Sequence, residues 1–504
     1  MSVQESYDEL IKRIKEVSLI YSCYAVLDYD QQCFMPPQGG PHRAAQTSLL
    51  AGMGHEKFTD KKIGELLKQV EGSELTKDAE SVEAVNIREI RRQYDKETKL
   101  PKELVEEFSK VTSLAHNEWV KARKESNFKH FQPWLEKVVD LTLKKAEAYG
   151  YEGEPYNALL DNYEPGATVD DIVKVFAGLR DELVTLVAKI KNAPKKPDVS
   201  IIERTYKTEL QKIFGEMVAA SLGYDFEAGR LDIAAHPFTN GLGPGDTRIT
   251  TRYNPHRLND ALYGTMHETG HALYEMGIDK AKYSGTPMGE STSLGIHESQ
   301  SRMWENQVGR SKEFWVYYLP VAKRLFREAL TGVELDDIYG AVNFVTPSYI
   351  RVEADEATYN LHILLRFELE REMLKGDLKP ADLPAAWNER FKKYLGIDVD
   401  NDANGCLQDV HWSMGLIGYF PTYTLGNIYS AQFFAKAKKD MPDLMEQFKV
   451  GNFLGLREWL RENIHKHGQR YRANDLCKKV TGETINHKPL MDYMYKKFGE
   501  IYGI

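Results

Sequence analysis

The chain has 504 residues, 28% charged and 42% hydrophobic, and a formal net charge of −9. This is the composition of a folded globular protein, and the acidic balance argues against general affinity for nucleic acid or an anionic membrane. Its four cysteines (Cys23, Cys33, Cys406 and Cys477) contain no CxxC pair, which argues against a disulfide framework and suits a reducing, cytoplasmic setting.

The first ten residues carry Glu5, Asp8 and Glu9 where a secretory signal is basic and then apolar. Leu10, Ile14, Val17, Tyr21 and Tyr24 then recur at steps of four, three, four and three, the period of one helix face. Pro36, Pro37, Gly39 and Gly40 end that pattern. Lys- and Glu-rich amphipathic segments follow to about residue 150, and helices are expected from about 169 to 192 and about 203 to 222, on either side of the linker Ala193–Asp198.

Between Leu231 and Tyr253 the signal changes. Gly241, Gly243, Pro244 and Gly245 form a turn, and the run Thr247–Tyr253 is rich in β-branched residues, so a small hairpin or edge strands are expected. Helical patterns then return to the end of the chain. The most apolar late stretch, Leu416–Ala435, is interrupted by Pro421, Asn427 and Ser430 and is no membrane span. The expectation is a mostly α protein with one small sheet just ahead of the motif HETGH.

In that motif, His267 and His271 are four residues apart. On a helix this puts both imidazoles on one face, one turn apart, where they can share a metal ion. Glu268 is offset around the helix, placed to reach water rather than the metal. Zinc lowers the pKa of a water it holds to roughly 7, so a neighbouring carboxylate can take the proton at neutral pH.

A catalytic zinc commonly has three protein ligands and one open position. Glu275 lies eight residues from His267, about 12 Å along the axis, too far to converge on one ion. The extended motif with a third histidine fails as well, because it needs Gly at 274 and His at 277, and this chain has Tyr274 and Gly277. A glutamate further on is expected, and Glu290 and Glu298 compete. Glu290 sits in the loop-like PMGEST. Glu298 falls in the helical GIHESQSRMWENQ, after the capping residues Ser291, Thr292 and Ser293, and is preferred because ligands on helices are held more rigidly. His297 is expected to support the site or the core rather than bind the metal.

Beyond HETGH, the chain carries HPF (His236–Phe238), DTRIT (Asp246–Thr250), HESQ (His297–Gln300), IRVEAD (Ile350–Asp355) and GCLQDVHW (Gly405–Trp412), with an early LDYDQ (Leu27–Gln31) followed by MPP. In these motifs and their order it closely resembles the carboxypeptidase Taq family of metallocarboxypeptidases over nearly its full length. The resemblance implies a single peptidase domain, residues 1–504, of the helical gluzincin kind: saddle-shaped, with two halves flanking a deep groove. It implies zinc, or cobalt, on His267, His271 and Glu298, with Glu268 as base. It also implies broad release of single C-terminal residues from peptides with a free C-terminus, and a homodimer.

The remaining motifs take roles on that footing. A planar arginine suits a substrate carboxylate; Arg351 of IRVEAD is the first choice, and Arg248 of DTRIT the alternative. His411 and Tyr423, rather than Tyr419, are expected to donate to the oxyanion. Gln408 and Asp409 are expected to orient His411 or cap a helix. His236 and the strand through Arg248 are expected to offer an edge to an extended substrate. Cys406 reads as a small buried residue. The rival readings are a dipeptidyl carboxypeptidase or oligopeptidase on the same scaffold, and a non-enzymatic scaffold in which zinc is structural.

Overall fold

Ser2 and Glu5 form a reciprocal capping box that starts the long helix α1 (Val3–Cys33). The computed structural model describes residues 1–504, which form two compact units, each assembled from three separate stretches of chain. Nearly all regular structure is helical; the strands are β1 (Leu231–Ile233), β2 (Thr239–Gly243) and β3 (Asp246–Thr251). No helix is long and apolar enough to cross a membrane.

The first unit comprises Met1–Thr98, Asp198–Val342 and Phe433–Gly482. Leu10 and Ile14 of α1 bury against Ile63, Leu66, Leu67 and Val70 of the helix Lys61–Val70, together with Ile87 and Ile90. Each such side chain contributes about 1.5–3 kcal/mol of transfer free energy. The apolar face read from the sequence holds through Val17 and then turns away: Tyr21 is 42% exposed, and Tyr29 becomes the buried residue. The Tyr29 hydroxyl donates to Asp232 of β1 at 2.6 Å, which ties α1 to the sheet.

The sheet has the order β1–β3–β2. β2 and β3 form the expected antiparallel hairpin, with Thr239 opposite Ile249. β1 pairs parallel to β3, with Leu231 also opposite Ile249, a partner that local turn signals do not reveal. Ile249 and Leu231 pack with Ala219, Tyr224 and Ala272, and this seats the sheet on α2 (Leu258–Gly277), the helix that carries HETGH.

The second unit comprises Lys99–Pro197, Asn343–Gln432 and Glu483–Ile504. The expected linker Ala193–Asp198 falls at the border, since Pro197 ends a stretch of one unit and Asp198 begins a stretch of the other. The helix before it runs Val169–Lys191; the one after it starts at Thr208 rather than near 203, because a 3-10 turn (Val199–Glu203) comes first. Within the second unit the helix α4 (Tyr359–Lys375) is buried on all sides, burying Leu361, Ile363, Leu365 and Phe367 as well as His362, Arg366 and Glu370. In the first unit, the helix α3 (Leu294–Arg302) follows α2.

Candidate active site

His267 and His271 lie on one face of α2, their rings edge to face at 4.9 Å. The third candidate ligand, Glu298, comes from α3, whose N-cap Ser293 accepts from the Ile296 N–H at 3.1 Å. The two helices meet backbone to backbone at Gly270, the fourth residue of HETGH: a Cβ there would lie 2.6 Å from Ser301 Cα and 2.7 Å from the Gln300 carbonyl. Only glycine permits that approach. It brings Glu298 Oε2 to 3.5 Å from His267 Nε2 and 3.4 Å from His271 Nε2.

The ligand atoms of His267, His271 and Glu298 all lie within 4.8 Å of one another, the arrangement of a candidate metal site. Separations of 3.4–3.5 Å match the edge of a tetrahedron whose arms are about 2.1 Å, the usual span of zinc to nitrogen or carboxylate oxygen. Glu290, the competing residue, follows a 3-10 turn (Pro287–Gly289), is exposed and does not join the cluster. Glu275 does not join it either, as the helix rise requires.

Neighbouring groups fix the histidines. His267 Nδ1 lies 3.0 Å from Glu305 Oε2. A carboxylate only accepts, so Nδ1 carries a proton, and Nε2, on the side of Glu298, is the nitrogen left to ligate. His271 Nδ1 lies 2.5 Å from His297 Nδ1, and His297 Nε2 lies 2.8 Å from Glu275 Oε1. Arg302 binds Glu298 at 2.6 Å and Glu305 at 3.2 Å, and Arg310 closes the group over the Tyr263 ring at 3.9 Å.

Burial alone would raise the Glu298 carboxyl, but Arg302 and the two histidines hold it well below the usual carboxylate range. Glu305 is held at about 2, burial again being outweighed, here by Arg302 and His267. Burial pushes His271 down to about 3, so its ring is neutral and able to ligate. Glu268 is different. Its carboxyl is buried and raised above the ordinary value by that burial, and it is bonded by Thr239 of β2, whose Oγ1 lies 2.6 Å from Oε2 and 2.9 Å from the Glu268 carbonyl.

Arg248 on β3 is held bidentately by Asp246, at 2.8 and 2.7 Å, and lies over the Tyr29 ring at 5.0 Å. His236 is exposed, in the bend between β1 and β2.

The second unit has its own buried polar cluster. Arg351 is 6% exposed; Nε and Nη2 each lie 2.9 Å from Asp409 Oδ1, and Nη1 donates to the Tyr359 hydroxyl at 3.1 Å. Arg366, fully buried on α4, donates to the other oxygen of Asp409 at 2.6 Å. The two guanidiniums hold Asp409 below the usual carboxylate range against its burial. Gln408 accepts the Arg351 backbone N–H at 2.9 Å. The pair Gln408 and Asp409 thus serves Arg351 first, with His411 Nδ1 4.0 Å from Asp409.

His411 opens a 3-10 turn (His411–Met414), and its Nε2 lies 3.4 Å from the Tyr423 hydroxyl. Tyr423 is in the first turn of α5 (Pro421–Asp440), not in a loop, because Pro421 opens that helix. Tyr419 packs on both, 5.5 Å from the His411 ring and 5.3 Å from that of Tyr423. Cys406 is buried and free.

Reading the sequence missed Glu305, Arg302, Thr239 and Arg366. An acidic residue seven beyond Glu298 and an arginine four beyond it gave a signal for the first two, since both recur on the face of the ligand. Thr239 and Arg366 gave none, because their partners are 29 and 43 residues away.

The carboxypeptidase Taq (M32) metallopeptidase family model matches residues 9–498. Thermostable carboxypeptidase 1 of Thermus thermophilus is 45% identical over 512 residues, covering 100% of both chains. Carboxypeptidase 1 of Bacillus subtilis is 37% identical, covering 99% of this chain and 98% of its own. The crystal structure of the M32 carboxypeptidase from Deinococcus radiodurans R1 superposes with a TM-score of 0.96 at 41% identity, covering 99% of this chain and 100% of that one. The chain belongs to the carboxypeptidase Taq (M32) metallopeptidase family, and with it to the metal-dependent carboxypeptidases.

Proposed function

We propose that the chain uses zinc on His267, His271 and Glu298 to remove single C-terminal residues from peptides with broad preference, with Glu268 as general base. The observation that carries this reading is Glu268 itself: a buried carboxylate beside a ligand histidine, aimed by Thr239. A purely structural metal site needs no such group. Two imidazoles and one carboxylate are a donor set suited to zinc, with cobalt the next fit.

When bound, the metal polarises the scissile carbonyl and makes water acidic enough to give up a proton near neutral pH. Glu268 takes that proton; its raised affinity for protons, caused by burial, matches a base that must later return the proton to the leaving amine. Thr239 occupies Oε2, which leaves Oε1 for the transfer. Arg351 receives the substrate carboxylate, with Arg248 as the alternative. Each is already oriented by an aspartate, so its fork is fixed before substrate arrives. His411 and Tyr423, 3.4 Å apart, donate to the carbonyl oxygen as it gains charge. The edge strand β2, beside His236, pairs with substrate backbone and so reads no side chain, which accounts for broad preference. A homodimer in the cytoplasm completes the reading, with sedimentation as its check.

The test compares an N-blocked dipeptide with its C-terminal amide. Cleavage confined to the free acid supports the reading, and equal cleavage points to an oligopeptidase instead. In parallel, E268Q is expected to retain zinc at one equivalent and to lose turnover by at least about 10²–10⁴-fold. Undiminished turnover in E268Q overturns the assignment of the base.

A further inference from the structure

The two ligand histidines are not supported alike. His267 is bonded directly to a carboxylate, whereas His271 is bonded to a second imidazole. From that asymmetry we propose that His297, backed by Glu275 and Lys280, is a positioning residue that sets the tautomer of His271 and so the strength of its bond to the metal. The proposal rests on the reading of His267, His271 and Glu298 as the metal ligands.

Proton bookkeeping carries the argument. Glu275 is bonded to Lys280 through Oε2 and to His297 Nε2 through Oε1 at 2.8 Å. An ionised carboxylate has no proton to give, so His297 Nε2 must be the N–H. His271, if it ligates through Nε2, carries its proton on Nδ1, and the group 2.5 Å from that nitrogen is His297 Nδ1, which then has to accept it. The His271 Nε2 lone pair is left on the side of Glu298 Oε2, 3.4 Å away. Both nitrogens of His297 are spoken for, which removes it as a ligand.

Packing holds this chain of groups in line. The His297 ring lies 5.3 Å from the Tyr274 ring, and Tyr274 in turn lies 5.0 Å from the His465 ring. His465 Nε2 is bonded to Gln300 Oε1 at 2.9 Å, so the stack is tied back to α3. On the other side, strand β2 closes over Glu275 and Lys280 at Gly241, where a Cβ would lie 3.0 Å from Glu275 Oε2 and 3.1 Å from Lys280 Nζ. A line of three side chains behind a ligand, packed on both sides, does more than fill the core: it delivers the negative charge of Glu275 to His271 through an imidazole.

The experiment measures zinc affinity of the full chain by competition with a chromophoric chelator, for the wild type, H271A, H297F, H297Q and E275Q. H271A should abolish tight binding. H297F cannot accept the proton and should bind zinc about 10–100-fold more weakly, the range for loss of such a partner. H297Q, whose amide oxygen can accept the same proton, should recover part of that loss, and E275Q should fall between wild type and H297F. A second readout uses the cobalt-loaded protein: the exchangeable, hyperfine-shifted N–H signal of His271 should be present in the wild type and lost in H297F, with that of His267 unchanged.

Wild-type affinity and an intact His271 signal in both H297F and E275Q overturn the proposal, provided H271A abolishes binding. Unaltered binding in H271A overturns the ligand reading beneath it. If H297F does not fold, H297Q and E275Q decide the matter by the same two readouts.

Discussion

Two buried polar clusters, one in each unit, are built on opposite charge balances. In the first, Glu268, Glu298, Glu305 and Glu275 are set against Arg302, Arg310 and Lys280, and Glu268 is held by a hydroxyl rather than by a cation. In the second, Arg351 and Arg366 share the single carboxylate of Asp409. Buried charge of one sign is costly unless a counter-charge is brought to it. The first cluster therefore suits a divalent cation and the second an anion such as a carboxylate. The two clusters can be perturbed separately, and mutations should sort accordingly.

The largest effect is expected in the first cluster. E298A removes the one charged member of the proposed ligand set, and the metal-loaded protein should lose its metal on dialysis. Metal analysis of E298A beside E290A checks this, and loss confined to E290A would reassign the third ligand. D409N strikes the second cluster by leaving two buried guanidiniums to share a neutral amide. About 3–5 kcal/mol of stability should be lost, visible in denaturant unfolding, with zinc affinity unchanged. A parallel loss of zinc would mean the clusters are not independent.

T239V removes the hydroxyl that aims Glu268 while keeping the shape of the strand. kcat should fall about tenfold or more, with KM and zinc content near wild type; a change confined to KM would give Thr239 a substrate role instead. The smallest effect concerns Glu370, a buried carboxyl that accepts from Tyr156 at 2.7 Å, Trp412 at 2.8 Å and the Gly418 N–H at 3.2 Å. Burial raises it from 4.5 to about 7. The unfolded chain thus gives up this proton first, so Glu370 favours folding most below about pH 4.5, and that contribution is lost as pH rises through about 7. E370Q should flatten the fall in stability between those values, as read from urea midpoints at each pH.

What the sequence disclosed depends on how local each cause is. His267, His271 and Glu268 are legible because one helical turn sets their relation, and Glu275 can be ruled out by the same rise per residue. Glu298 needed more, since its distance from His271 is fixed by the crossing of two helices at Gly270. Glu305 shares the period of Glu298, seven residues on, but after Arg302 the helix widens into a π-helix, Met303–Gly309, so that period is a weaker guide there than one turn of ordinary helix. The hairpin followed from its glycines, but the parallel strand β1 depends on a pairing with no local signature. Arg351 was singled out, yet its bond to an aspartate 58 residues away was not.

Gly270 has one more consequence, and it is mechanical. With no side chain between the two helices, the approach of the backbones that carry His267, His271 and Glu298 is set by hard contact between main-chain atoms, and side-chain rotamers make only the last adjustment. The entropy of bringing His267, His271 and Glu298 together is thus spent largely when the chain folds. For a metal ion held by these three residues, capture would be governed by dehydration and access more than by reorganisation of the protein, with the scaffold a stiff jig rather than a closing hand.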